Sequence, residues 1–230
     1  SSKVIEKSRK KGLKIIIKWG IGTDNIDIKS AKKNKIPVFN TPNVFGPEVA
    51  EQALSFILNL SRGTHIINNE VRNGNWYKLE GSSLENKRLG IIGFGSIGKE
   101  IAKRANSFGM KISFFDPFIK VHSYDLFSKV SFNEICLNSD IIVLACSLNK
   151  ENKHLINKES ISNMVKRPFI INVSRGPLIN EDDLIQGLKE ERIRGAGLDV
   201  FENEPLPKSS ELVKIENCIL RNQRYLSIKK

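Results

Sequence analysis

Residues 89–101 read LGIIGFGSIGKEI: an apolar run from Leu89 to Ile92, glycines at 93, 95 and 98, and then helix-favouring residues. A run this short suits a buried strand, and the G-x-G-x-x-G spacing at its end is the turn that carries a strand into a helix around a phosphate. Gly93 permits the tight turn, Gly95 lets the backbone approach a pyrophosphate, and Gly98 lets the helix lie on the strand. The helix start, from Ser96 and Ile97, offers amides and the positive end of its dipole to the phosphates. The next strand, KISFF at 111–115, ends in Asp116, about 20 residues on, where a carboxylate accepts hydrogen bonds from the adenosine ribose hydroxyls. That acid disfavours a ribose 2′-phosphate, so the cofactor read from these residues is NAD.

Outward from this stretch, strand-like runs at 14–19, 38–39, 141–146, 169–173, 197–200 and 218–220 alternate with amphipathic segments. That alternation is the mark of βαβ units and a parallel sheet covered on both faces, so the fold class is α/β, a Rossmann-type doubly wound parallel sheet. The longest helical pattern follows Gly46-Pro47 and places Val49, Ala53, Phe56, Ile57 and Leu60 on one stripe. Ser131 with Glu134 reads as a capping box, and Asn180 with Asp183 as a looser one. The stretch RNGNWYKLEGSSL, 72–84, is polar, Gly-rich and aperiodic, and predicts a domain boundary.

Composition narrows the function classes. The net charge is +12, but the 37 Lys and Arg residues are scattered instead of clustered with aromatics, which speaks against nucleic acid as a partner. No apolar stretch approaches the roughly 18 residues of a membrane span, so no membrane partner is expected. The start lacks a signal-peptide core, and three cysteines support no disulfide framework, which together predict a cytoplasmic protein. No metal-ligand cluster stands out. His65, His122 and His154 fall in a helical stretch, a polar loop and the HLIN segment, and none is expected to transfer protons.

With KWGIGTDNID (18–27), PVFNTPNVFGPEVAE (37–51), RNGNW (72–76), FFDP (114–117), HLIN (154–157), INVSRGPLIN (171–180) and AGLDVFENEPLP (196–207) added to the glycine motif, the chain resembles the D-isomer-specific 2-hydroxyacid dehydrogenase family, of the phosphoglycerate dehydrogenase-like kind. The resemblance spans about residues 13 to 220. It implies a Rossmann domain joined to a flavodoxin-like substrate domain, of which this chain holds part, a small 2-hydroxy or 2-oxo acid as substrate, and a homodimer formed through the cofactor domain. On this reading residues 1–75 are a partial substrate domain with its connecting helix, 76–215 the NAD-binding domain and 216–230 an atypical tail. Residue by residue, Arg175 matches the Arg that grips the substrate carboxylate, Glu204 the acid that orients a catalytic His, and Asp199 a nicotinamide contact. Gly20, Ile21 and Gly22 match a substrate-carboxylate loop. Phe94, Cys146 and Val173 join Gly93, Gly95, Ser96, Ile97, Gly98 and Asp116 in the cofactor set. An Arg where a parallel strand ends suits its role, because its guanidinium offers a fixed two-pronged donor to a carboxylate. Lys18 is read as a solvated strand-end charge.

The resemblance breaks at the end. Where the family carries its catalytic His, shortly after the strand matched by Cys218 to Leu220, this chain reads Arg221, Asn222, Gln223. Gln223 takes the His position, and a neutral amide accepts no proton at pH 7. Loss of a general base costs roughly 10²- to 10⁴-fold in rate, so impaired activity is expected. Against the family pattern, the chain is expected to begin near the middle of the substrate domain and to end without the C-terminal segment that folds back onto that domain. The expectation is therefore an NAD-dependent oxidoreductase acting on a small 2-hydroxy acid, with weakened chemistry. The alternatives are a non-catalytic NAD-binding interaction protein, an inactive gene fragment, or an enzyme in which Glu204 takes the proton through water.

Overall fold

The computed structural model describes residues 2–20, 22–23, 25–42, 44–120, 123–124 and 126–222. The chain divides into two compact units, Ser1–Gly46 and Pro47–Lys230.

The smaller unit is a single βαβ turn preceded by a helix: α1 Ser2–Lys10, β1 Ile16–Lys18, α2 Ile28–Lys33 and β2 Val38–Asn40. The two strands pair in parallel, Ile17 opposite Phe39. Asp27 caps α2 by accepting from the Ser30 amide at 2.8 Å. Its core is small: Ile5, Ala31 and Ile36, with Leu13, Ile16 and Val38 against them. The expected helix and strands of this segment are present, and α1 is an addition. It was hard to foresee because Ile5 is the one residue of that polar helix that is buried.

The larger unit begins with α3 Gly46–Arg62 and α4 Thr64–Arg72, followed by β3 Arg88–Ile92, α5 Ser96–Asn106, β4 Lys111–Phe115, β5 Ser123–Tyr124 and β6 Phe127–Lys129. Then come α6 Phe132–Asn138, β7 Ile141–Leu144, α7 Lys158–Ser162, β8 Phe169–Asn172, α8 Glu181–Lys189, β9 Gly195–Leu198 and β10 Cys218–Leu220. Among the described residues the strands form one sheet in the order β10-β9-β8-β7-β3-β4-β6-β5, in which β5 alone is antiparallel. The chain builds outward from β3 to β6, then crosses back to β7 and builds outward the other way. Ligands of such sheets bind at that switch point, beyond the carboxyl ends of the strands. β7 is buried along its whole length, as a strand covered on both faces must be.

The boundary does not fall in the 72–84 stretch, because α3 belongs to the sheet. Its predicted stripe is buried as expected, Val49 to Leu60 all at 7% exposure or less. The stripe meets two glycines of β9: a Cβ on Gly197 would lie 2.6 Å from Phe56, and one on Gly195 3.2 Å from Leu60. The polar arm then returns along the end of α3. Ser82 donates its amide to the Ser61 carbonyl at 2.7 Å, and Leu79 sits against Gly63. Likewise β10, placed with the tail by the sequence reading, pairs with β9 as a full sheet member, Ile219 opposite Gly197.

Candidate functional site

The glycine motif folds as its spacing demands. Gly93 has φ +92°, and a Cβ there would lie 2.5 Å from the Cys146 backbone, so the turn needs glycine both for its conformation and for its contact with the end of β7. A Cβ on Gly98 would stand 2.2 Å from the Gly93 carbonyl oxygen, so helix α5 lies directly on the turn. Gly95 differs: an added Cβ would meet nothing within 4 Å. The space beside it is open, and α5 starts there, its first intrahelical bond running from the Lys99 amide to the Gly95 carbonyl. The amides of Ser96, Ile97 and Gly98 come before that bond, as the orphan donors of a helix start do. An open cradle above a helix N-terminus fits the pyrophosphate of a dinucleotide.

Asp116 follows β4 beside this turn. One of its carboxylate oxygens accepts from the Phe94 amide at 2.9 Å and the other from the Phe118 amide at 2.9 Å. Each oxygen keeps a second lone pair for a ribose hydroxyl. Phe94 enters the set through its backbone alone. Its ring is 1% exposed and stacks on Phe114 at 3.9 Å between centroids, so its side chain belongs to the core.

On the other half of the sheet, four strand ends present the remaining residues. Cys146, just past β7, is half-buried, and burial pushes its thiol up to about 11, with Asp116 adding to the rise. It is a neutral thiol at pH 7. Its carbonyl accepts from the Ser174 hydroxyl, which ties the end of β7 to the end of β8. Val173 is buried at 2% exposure and Arg175 is half-buried. The Arg175 carbonyl accepts from Asn172 Nδ2 at 2.9 Å, and its Nη1 donates to the Ser174 carbonyl at 2.7 Å. Gly176 then presses against the chain that follows β9, since a Cβ there would lie 1.9 Å from the Phe201 backbone. That contact brings the Arg175 turn against the segment carrying Glu202 and Glu204. Glu204 is exposed and accepts from the Phe201 amide at 3.1 Å.

Two groups escaped the sequence reading. Arg221, at the end of β10, donates through Nη1 to the carboxylate of Asp199 at 3.1 Å, and the Asp199 side chain has no exposed surface. His154, a residue not expected to transfer protons, has its Nε2 2.5 Å from a Glu202 oxygen. The second Glu202 oxygen accepts from the Glu181 amide at 3.1 Å, and Glu181 in turn accepts from the Glu202 amide. Burial, with the nearby charges of Glu202, Asp182 and Glu204, raises the Glu181 carboxyl above its ordinary range. No local signal marks either pair, because their members are 22 and 48 residues apart.

The loop matched to substrate binding lies in the smaller unit. Gly20 has φ +130°, and its amide donates to the Thr41 hydroxyl at 2.8 Å, so that donor is already engaged. Gly22 is half-buried, and Lys18 closes β1. Ile21, His122 and Gln223 lie outside the described residues. Among the described residues no group of three His, Cys, Asp or Glu side chains could hold a metal, and no helix is long and apolar enough to cross a membrane.

A doubly wound sheet with an open glycine cradle at its switch point and an acid after its second strand defines a dinucleotide-binding domain. Residues 54–222 match the family model described as "D-isomer specific 2-hydroxyacid dehydrogenase, NAD binding domain". The chain belongs to that family. It is 39% identical over 221 residues to D-3-phosphoglycerate dehydrogenase of Methanocaldococcus jannaschii, covering 94% of this chain and 42% of that one. It is 42% identical over 197 residues to hydroxypyruvate reductase of Thermotoga maritima, covering 85% and 64% respectively. The chain thus spans less than two thirds of the length of these curated relatives. Among solved structures, D-lactate dehydrogenase from Aquifex aeolicus complexed with NAD and lactic acid superposes with a TM-score of 0.84 at 30% identity, covering 96% of this chain and 72% of that one.

Proposed function

We propose that this chain binds NAD(H) across the carboxyl edge of its larger sheet and serves hydride transfer between that cofactor and a small 2-hydroxy or 2-oxo acid. The observation that carries the reading is the open cradle at Gly95, set between two glycines that are closed by packing and beside the Asp116 carboxylate. The bound cofactor supplies the hydride acceptor or donor. The chain supplies the rest: the Gly93 to Gly98 turn and the first amides of α5 hold phosphate, and Asp116 holds the ribose. Arg175 fixes the carboxylate of the acid by a charge-assisted contact, which orients the carbon that exchanges hydride. Glu204 supports a proton-transferring group, and in this chain the matching position is Gln223, which cannot serve as a base.

That substitution favours a second reading, a protein that binds NAD without turnover. Turnover separates the two. NADH oxidation is followed with hydroxypyruvate, glyoxylate and pyruvate, using wild type, Gln223→His, and Gln223→His combined with Arg175→Ala. The dehydrogenase reading expects slow wild-type reduction of at least one acid, a gain of roughly 10²-fold with His at 223, and loss of that gain without Arg175. Binding of NADH with no reduction by wild type and no Arg175-dependent reduction by Gln223→His supports the non-catalytic reading instead.

The chain further forms a homodimer through the larger unit. Support comes from α4, which is amphipathic yet has no buried residue, and from Trp76 at 85% exposure in the arm after it. A monomeric mass in sedimentation at micromolar concentration would refute the dimer. The cytoplasm is the proposed location, consistent with three free cysteines of which Cys136 and Cys218 are buried.

A further inference from the structure

We propose that Arg221 sets which redox state of the cofactor this domain prefers, by balancing the charge of the buried Asp199 carboxylate. The proposal rests on the NAD reading above and concerns the half of the sheet that the glycine motif does not occupy.

The position of the pair follows from the sheet. The Asp199 amide donates to the Asn172 carbonyl at 3.0 Å, continuing the ladder between β8 and β9, and the Arg221 amide donates to the Leu198 carbonyl at 2.9 Å, continuing that between β9 and β10. Both residues therefore stand just past the carboxyl ends of their strands. A doubly wound sheet binds a dinucleotide across its switch point, one mononucleotide over each half. The glycine turn and Asp116 belong to the half built from β3 and β4. The other mononucleotide, which carries the nicotinamide, then falls to the half built from β7, β8 and β9, where Asp199 stands.

The nicotinamide ring is cationic in the oxidised cofactor and neutral in the reduced one. A buried carboxylate alone in that half would favour the oxidised form, and low dielectric would strengthen the preference. Asp199 has no exposed side-chain surface, so water screens its charge little. Arg221 lies 3.1 Å away and is 36% exposed, so the pair carries no net charge. Arg175 belongs to the same half, but its charge is present whichever residue occupies position 221. Cys146, at the end of β7, remains a neutral thiol. Within this chain the charge of Asp199 is answered from the neighbouring strand end, by Arg221. The blander account is that Arg221 only makes the burial of Asp199 tolerable, since an unpaired buried carboxylate is costly. On that account its loss weakens the fold and both cofactor forms alike.

The test is the ratio of two dissociation constants, for NAD+ and for NADH, measured by calorimetric titration of the full chain at one pH and salt concentration. The proteins are wild type, Arg221→Gln, Arg221→Lys and Asp199→Asn, each checked for folding by its thermal transition. Arg221→Gln is expected to shift the ratio toward NAD+ on the order of tenfold, the effect of removing one positive unit charge from a low-dielectric site. Asp199→Asn, which removes the carboxylate and keeps the guanidinium, shifts it the other way, and Arg221→Lys keeps the wild-type ratio. Should one of the two charge-removing variants fail to fold, the other still gives the sign. Equal weakening of both forms, with the ratio unchanged in every folded variant, overturns the proposal and leaves the NAD reading standing. Folded wild type that binds neither form overturns the NAD reading, and the proposal with it.

Discussion

Replacing Gly95 by Ala separates a glycine kept for a ligand from one kept for the fold. Its backbone, at φ −74° and ψ −157°, is open to any residue, and the added methyl would meet nothing within 4 Å. Alanine loses less conformational freedom on folding, a gain of about 0.4–1 kcal/mol, whereas alanine is a poorer helix N-cap than glycine by a similar amount. The stability change should therefore stay within about 1 kcal/mol. Binding should fall, because the methyl would fill the cradle into which a pyrophosphate must come; a loss of about 10²-fold corresponds to about 2.8 kcal/mol. Gly98→Ala provides the contrast. Its Cβ would stand 2.2 Å from the Gly93 carbonyl oxygen and 3.3 Å from Ile91, both held by the sheet. Overpacking of this kind costs about 1–3 kcal/mol, only partly offset by the better helix propensity of alanine. At about 2–4 °C per kcal/mol for a domain of this size, a drop of several degrees in Tm is expected. Thermal melts and NADH fluorescence titrations of both variants make the comparison. Unchanged NADH affinity in Gly95→Ala, or unfolding of Gly95→Ala with Gly98→Ala intact, would refute the division of roles.

Other consequences follow from packing and charge. Phe56→Ala removes the ring that fills the space over Gly197 and should cost about 3–5 kcal/mol, read from denaturant unfolding; a loss below 1 kcal/mol would mean that α3 does not anchor on β9. Glu181 has a raised folded-state pKa, so its favourable contribution is complete below the unfolded value and is lost as pH rises through the folded one. Glu181→Gln keeps an acceptor for the Glu202 amide and removes the charge, so its Tm relative to wild type should rise between pH 4 and pH 7. A difference that is flat with pH would contradict the burial and crowding assigned to that carboxyl.

Much of this was legible in the sequence where a local pattern determines the structure. The strand, glycine turn and helix at 89–101 depend on neighbours within a few residues, and the α3 stripe is a matter of helical period. The division of the chain was not legible, because it depends on Gly195 and Gly197 lacking the side chains that would keep Phe56 and Leu60 off the sheet. The hairpin β5 and β6 escaped notice because strands of two and three residues carry too little alternation. Residues of the site divided on the same line. Asp116 is found by its distance from a motif, whereas the partnership of Arg221 with Asp199 exists only once β9 and β10 lie in register. Burial also shows that the Phe94 ring belongs to the core, a direction that its position inside the motif does not reveal.

The central claim is that the open cradle and Asp116 together make an NAD site. Calorimetric titration of the purified chain with NAD and with NADP tests it most directly. The account predicts saturable one-to-one binding of NAD at least about tenfold tighter than NADP, because the Asp116 carboxylate accepts from ribose hydroxyls and repels a 2′-phosphate. Equal affinities would contradict the role of Asp116, and no saturable binding of either nucleotide by the folded chain would contradict the site itself.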